Sequence, residues 1–379
     1  MNFAIDFIGT NLASGTKSYN LTFCEILHKL KFNDNVTIFI CKSYIGQIDR
    51  KKKYKQNIKY IIKPDFLSIT FFRILWMQLI LPFELRFLDI KTVYSPMNFS
   101  PVLAKLLNIK VALCLHSNLP WIYFKLMPGS IIRNYITKKL MEICIYTCDV
   151  LIVNSNYAKK EISKILKISK KKIKVVYLHI NEIYYLNKYK KNKTKKFFFK
   201  ENYILSVISC VKYHNIINFL SAYKILLTEL NFNIKLILVM QILDKDYFYT
   251  IRNYINENFK KKQIILYSNL KKENLLFFYK FAKLYSFTSY SEVFGLTSLE
   301  AFSQGVPVAI SNRSALKEIN AGAALYFNPD NINQIKNTLK KILTNNDLKL
   351  RLIKAGQKRL KNFNSKINVK KTIQIITSI

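Results

Sequence analysis

The chain has 379 residues, half of them hydrophobic and 14% aromatic, with only 8 Gly and 8 Pro. This excludes a disulfide-stapled miniprotein, a disordered chain and a low-complexity scaffold, and at about 150 residues per domain it predicts two globular domains. Lys and Arg number 61 against 22 acids, a formal charge of +39, yet only 8 of the 61 are Arg. Nucleic-acid sites favour the planar arginine fork, so this lysine excess argues against a nucleic-acid partner and reads as AT-rich coding. It is compatible with an anionic membrane surface.

Taken in chain order, the N-terminus has no basic region and carries Asp6 within its apolar stretch, so no signal peptide is predicted and a cytoplasmic location is expected. A strand over residues 3–8, a polar loop, a helix near 18–30 and a strand over 36–41 give βαβ order. Residues 66–83 contain Arg73, Gln78 and Pro82, too polar and broken for a membrane-spanning helix. Phe72, Leu75, Trp76, Leu79 and Ile80 recur there at helical spacing and predict a core helix, with a segment lying on a membrane surface as the alternative. Strands follow over 92–94, 109–115, 150–153 and 175–177, continuous in apolar residues as a parallel sheet buried on both faces demands.

A lysine-rich run then cannot bury itself, which places a linker at 187–200. The alternation restarts with strands over 203–209, 234–240, 264–267 and 285–287 and a helix over 216–230. The fold expected is α/β, with two Rossmann-like doubly wound domains over 1–186 and 201–365, and a C-terminal helix over about 366–379 that packs back on the first. The six cysteines sit inside apolar runs without a CxxC pair, so buried reduced thiols are predicted. Four scattered histidines and the lack of a DxD-like carboxylate cluster predict no metal.

The most informative stretch runs from Ser291 through Glu292, Phe294, Gly295, Leu296, Thr297 and Glu300 to Gly305-Val306-Pro307-Val308. Gly295 lets backbone approach a ligand, and a helix beginning near Thr297 or Ser298 offers free amides and a dipole to an anion such as a diphosphate. Glu300, one turn inside that helix, suits vicinal ribose hydroxyls. Glu292, on the loop, suits the hydroxyls of a sugar, each charge-assisted bond contributing roughly 1.5–3 kcal/mol.

This E-x(7)-E, with its internal F-G-L and trailing G-V-P-V, resembles the signature of the family 4 retaining glycosyltransferases of the GT-B fold. The resemblance implies two domains facing a central cleft, a nucleoside-diphosphate sugar as donor, a glycan or lipid-linked acceptor, no cofactor, and a setting in cell-surface polysaccharide or lipopolysaccharide assembly, at the inner face of the plasma membrane. By the same resemblance Glu292 and His116, at the end of the strand over 109–115, act on the transferred sugar. Phe294, Gly295, Leu296 and Thr297 hold phosphate, Glu300 takes the ribose, and Gly15 belongs to the glycine-rich first loop. Asn154 or Ser155 is expected to cap the helix after the strand over 150–153.

One departure stands out. Where the family carries an Arg and then a Lys that clamp the diphosphate, this chain has Cys210 and His214, with Lys212 as the available substitute cation. That thinner charge leaves an alternative, a GT-B protein that binds nucleotide sugar with weak or no transferase activity.

Overall fold

The computed structural model describes residues 1–9, 14–45, 48, 57–180, 202–230, 234–268, 270 and 272–379. The apolar runs form two sheets in which every pairing is parallel. In the first, β1 (Asn2–Asp6), β2 (Asn35–Cys41), β3 (Ile58–Lys63), β4 (Thr92–Ser95), β5 (Lys110–Leu115), β6 (Val150–Val153) and β7 (Ile173–Val175) lie in the order β3-β2-β1-β4-β5-β6-β7. In the second, β8 (Tyr203–Cys210), β9 (Lys235–Ile242), β10 (Ile264–Ser268), β11 (Leu284–Phe287), β12 (Val308–Ser311) and β13 (Leu325–Phe327) lie in the order β10-β9-β8-β11-β12-β13.

Each order reverses once, between β1 and β4 and between β8 and β11. Open α/β sheets hold ligands beyond the carboxyl ends of the strands at such a reversal. Strands β4, β6, β11 and β12 are buried at every residue, the reason their sequences run without polar alternation. Strands β3 and β13 were not expected. The first is an edge strand interrupted by Lys59 and Lys63, and the second has three residues, so neither presents a long apolar run. Strand β7 falls two residues ahead of its expected place because Ile173 and Val175 pair with Leu151 and Val153 of β6.

The contacts divide the chain into a first unit of Met1–Trp121, Ile132–Asn181 and Phe363–Ile379 and a second of Ile122–Ile131 and Glu182–Asn362. The C-terminal helix Ser365–Thr377 therefore belongs to the first unit, into which it buries Val369, Ile373 and Ile376. Residues 122–131 join the second, where Tyr123 stacks on Tyr290 with ring centroids 6.3 Å apart. The basic stretch at 187–200 lies outside the described residues.

The core helix expected at 66–83 is corrected by the structure. The chain forms helix Thr70–Leu75, a π turn Trp76–Ile80 and helix Leu81–Phe87. Pro82 has no amide to continue a helical ladder, and the wide turn before it re-phases the side chains. Arg73, Trp76, Met77, Leu81 and Leu85 point inward, whereas Phe72, Leu75, Leu79 and Ile80 are 42–56% exposed. None of the described helices is long and apolar enough to cross a membrane.

Arg73, 2% exposed, meets the fully buried Asp6 at the end of β1, with Nη2 3.6 Å from Oδ2. The other Asp6 oxygen accepts the Ile8 amide at 3.0 Å. Burial raises the Asp6 pKa more than the guanidinium lowers it, as expected of a desolvated pair at a long separation. Gly9, at φ +83°, admits the arginine, since a Cβ there would stand 2.6 Å from Arg73 Cδ. Removing one partner strands the other, so Arg73→Met is expected to destabilise the fold by about 3–5 kcal/mol. Urea unfolding followed by circular dichroism measures this, and a change within error contradicts a structural role for the pair.

Candidate functional site

In the second unit, β8 and β11 lie side by side and deliver their following loops to the same edge. After β8 comes the turn Lys212–His214, closed by Asn215 at φ +55°, whose side-chain amide donates to the Pro329 carbonyl at 2.6 Å. This turn is sewn to the loop after β11. The Tyr290 amide donates to the Tyr213 carbonyl and the Thr288 hydroxyl to the His214 carbonyl, each at 2.8 Å.

The stitching sets the His214 ring beside Glu292, with Nε2 3.2 Å from Oε1. Its Nδ1 lies 2.8 Å from the Ser209 carbonyl and 3.0 Å from the Ser209 amide. Nε2 donates to the carboxylate, and Nδ1 is left to the Ser209 backbone, accepting its amide when bare or donating to its carbonyl when protonated. Both ring nitrogens thus have partners, and His214 braces Glu292. The Glu292 backbone is fixed as well: its amide donates to Ser314 Oγ at 2.9 Å and its carbonyl accepts the Ala315 amide at 3.1 Å.

Helix Leu296–Ser303 begins at Gly295, in the left-handed region at φ +90° and ψ +54°, with no side-chain cap and no acid in its first turn. A β-carbon at Gly295 would meet Leu316 Cδ2 at 2.5 Å, so only glycine fits. The amides of Leu296 and Thr297 have no intrahelical acceptor by their position. The Thr297 hydroxyl, beside the Tyr285 phenol, is buried and makes no hydrogen bond of normal geometry. Phe294 is buried beneath this start. One turn on, Glu300 accepts the Tyr279 hydroxyl through Oε2 at 2.9 Å, which orients its carboxylate.

Cys210 is fully buried, its thiol pushed up to about 12 by desolvation and directed at the Asp244 carbonyl 3.7 Å away. Lys212 is exposed and makes no ion pair among the described residues. The structure therefore gathers Glu292, His214, Gly295, Leu296, Thr297 and Glu300 in one unit, with Lys212 at its surface.

Gly15 and His116 belong to the first unit. Gly15 lies in the first turn of helix Ser14–Lys29, while residues 10–13 of the glycine-rich loop lie outside the described residues. His116 follows β5. Its amide donates to Asn98 Oδ1 at 2.6 Å, and its Nδ1 is 3.0 Å from Asn154 Nδ2. Tyr19 meets the ring edge-on at 5.3 Å. Nε2 is buried with no hydrogen bond of normal geometry. Burial pulls the imidazole from its ordinary 6.5 down to about 4, the Pro96 carbonyl offsetting a little.

Sequence reasoning did not find the part played by Asn154. Ser155 caps the next helix, accepting the Ala158 amide at 3.1 Å, and Asn154 turns to His116 instead. The parallel register of β5 and β6 was the signal that carried it. Among the described residues no group of three or more His, Cys, Asp or Glu is placed to hold a metal ion.

Two doubly wound units, the second with an uncapped helix start between two glutamates, define a GT-B glycosyltransferase architecture. Family models match in tandem: Glycosyltransferase Family 4 over residues 14–182 and Glycosyl transferases group 1 over residues 188–359. The chain belongs to these group 1, family 4 glycosyltransferases. It is 24% identical over 215 residues to the O-antigen chain mannosyltransferase RfbU of Salmonella typhimurium strain LT2, covering 57% of each chain. It is 28% identical over 149 residues to the serotype-specific mannosyltransferase WbdA of Escherichia coli, covering 39% of this chain and 18% of that one. The chain thus spans little more than half of the first relative and under a fifth of the second. The sucrose-phosphate synthase of Thermosynechococcus elongatus shares the fold, with a TM-score of 0.77 at 16% identity over 100% of this chain and 98% of that one.

The depressed His116 pKa has a sign that solution work can read. The unfolded chain takes up the proton more readily, so the stability that neutral His116 contributes is complete above pH 6.5 and is lost as the pH falls toward about 4. The drop in urea midpoint across that window is expected to be smaller in His116→Gln. An identical drop in both proteins contradicts the assignment.

Proposed function

We propose that this chain transfers a sugar from a nucleoside-diphosphate donor to an acceptor hydroxyl with retention of anomeric configuration, in assembly of a cell-surface polysaccharide or lipopolysaccharide. The observation that carries this reading is the uncapped start of helix Leu296–Ser303, where glycine at φ +90° opens a run of backbone amides beside the buried Thr297 hydroxyl. Such a start binds an anion through its amides and dipole. Diphosphate fits there, the ribose hydroxyls fall to Glu300, and the sugar hydroxyls to Glu292.

Charge develops on the leaving diphosphate as the glycosidic bond breaks, and preorganised donors stabilise it in proportion. The donor's own phosphate oxygen takes the acceptor proton on the face from which it departs, while His116 and Glu292 orient the sugar. Helix amides and Lys212 stand in for a metal, so activity is expected to persist in chelator. The names of the relatives make mannose the first sugar to try.

A second reading keeps donor binding and removes transfer. It is favoured by one observation: Cys210 and His214, where the family clamps diphosphate with cations, are turned to a backbone carbonyl and to Glu292. Transfer assays with a panel of nucleotide sugars and acceptors decide between the two.

The first unit adds a setting. The segment 66–87 leaves Leu79, Ile80, Phe83 and Phe87 exposed at 56, 51, 61 and 91%, with Leu106 at 78% on the turn Val102–Leu107. Arg86 and Lys105 carry positive charge in the same segments, and Lys91 lies with Arg86 and Leu106 around one surface pocket. Apolar side chains ringed by cations fit the headgroup boundary of an anionic bilayer, a cytoplasmic peripheral attachment.

Glu292→Ala and His116→Ala are expected to lower kcat by about 100-fold or more in protein that still gives a cooperative unfolding transition, and Glu300→Ala to raise the donor KM chiefly. Wild-type turnover in either of the first two contradicts the assignment. Co-sedimentation tests the surface: the protein is expected to pellet with phosphatidylglycerol-containing vesicles, and less so after Phe83→Asp with Phe87→Asp. Equal pelleting of both proteins, or none of either, overturns it.

A further inference from the structure

We propose that Asn154 is a positioning residue that locks His116 in the Nε2–H tautomer, so that the buried Nε2–H is held ready as a hydrogen-bond donor to the transferred sugar. The part concerning the sugar rests on the role given to His116 above.

The placement comes from the sheet. Leu115 at the end of β5 pairs with Val153 at the end of β6 in parallel register, so His116 and Asn154 leave the two strands as neighbours. Asn154 is 1% exposed, and three contacts fix which end of its amide faces which way. Nδ2 lies 3.4 Å from the Leu115 carbonyl, an acceptor, and must be the donor there. Oδ1 lies 3.9 Å from Cys114 Sγ. Burial pushes that thiol up to about 12, so it remains S–H and donates. A flipped amide would set its oxygen against the Leu115 carbonyl.

With the amide so fixed, Nδ2 donates to His116 Nδ1 at 3.0 Å, and an Nδ1 that accepts carries no proton. The neutral ring then has its hydrogen on Nε2. Tyr19 against the ring and Asn98 on the backbone amide leave the imidazole in one orientation. The Pro96 carbonyl reaches the ring, but Nε2 makes no hydrogen bond of normal geometry, and a poorly satisfied buried N–H costs up to about 1–3 kcal/mol. A substrate oxygen placed at Nε2 recovers that cost on binding, which gives the donor its use. Helix capping does not explain Asn154, because Ser155 already performs it.

The test uses the full chain labelled with ¹⁵N-histidine, His116→Gln assigning the resonance. Wild type is expected to show a pyridine-type Nδ1 and a pyrrole-type Nε2 at His116; an Nδ1–H ring overturns the proposal even if no variant folds. Asn154→Asp keeps the shape but replaces the donor by an acceptor, which draws a proton to Nδ1. Asn154→Ala removes the constraint without reversing it. Asp is therefore expected to lower kcat more than Ala, by about 100-fold or more, since a reversed imidazole tautomer costs up to about 10⁴-fold in hydrolases. A merely structural asparagine gives the opposite order, with the isosteric Asp the milder change. Full turnover in His116→Gln overturns the role of His116 toward the sugar, whereas the NMR signature overturns the tautomer, so the two failures are read separately.

Discussion

The second unit is organised around one hydrogen bond, from His214 Nε2 to Glu292 Oε1 at 3.2 Å. It joins the loops that follow β8 and β11, the two strands on either side of the sheet's reversal. Because the other ring nitrogen is engaged by the backbone of Ser209, the histidine has no freedom to follow the glutamate; the glutamate conforms to it. The backbone of Glu292 is tied in turn to Ser314 and Ala315. The chain then runs through the strained Gly295 into an open helix start, so the carboxylate and the amides form one rigid arrangement.

That rigidity compensates for a thin local charge. The molecule carries +39 overall, yet the described cation nearest in sequence to Cys210 and His214 is the exposed Lys212. On the proposed reading, stabilisation of a leaving diphosphate falls to fixed dipoles, which need no reorganisation as charge develops. In the first unit the position is reversed: a whole guanidinium is buried at Arg73, 3.6 Å from Asp6, whose own carboxyl is raised by desolvation more than the guanidinium lowers it. Arg73 thus faces inward from the same segment whose Phe72, Leu75, Leu79, Ile80, Phe83 and Phe87 face outward.

Much of this was legible in the sequence, for physical reasons. Strands buried on both faces must be continuously apolar, and β4, β5, β6, β8, β9 and β11 read as such. The motif from Glu292 to Glu300 was legible because a glycine, a helix start and two carboxylates at that spacing leave few other uses. Strand β3 escaped because an edge strand tolerates lysine, and β13 because three residues make no pattern. The segment 66–83 misled because periodicity shows that a helix has two faces but not which one turns inward. A buried arginine inverted the answer, and a π turn before Pro82 shifted its phase. Asn154 read as a cap because its partner, His116, lies 38 residues away and only strand register unites them. The allegiance of residues 122–131 to the second unit has no local signature at all.

The most direct measurement is the anomeric configuration of the product. Purified protein, a panel of nucleoside-diphosphate sugars led by a mannosyl donor, and acceptor glycans would be followed by proton NMR from the first minutes of reaction. A new glycosidic linkage with the donor's own anomeric configuration is the expected result. A linkage of opposite configuration, or donor binding without any transfer across the panel, contradicts it.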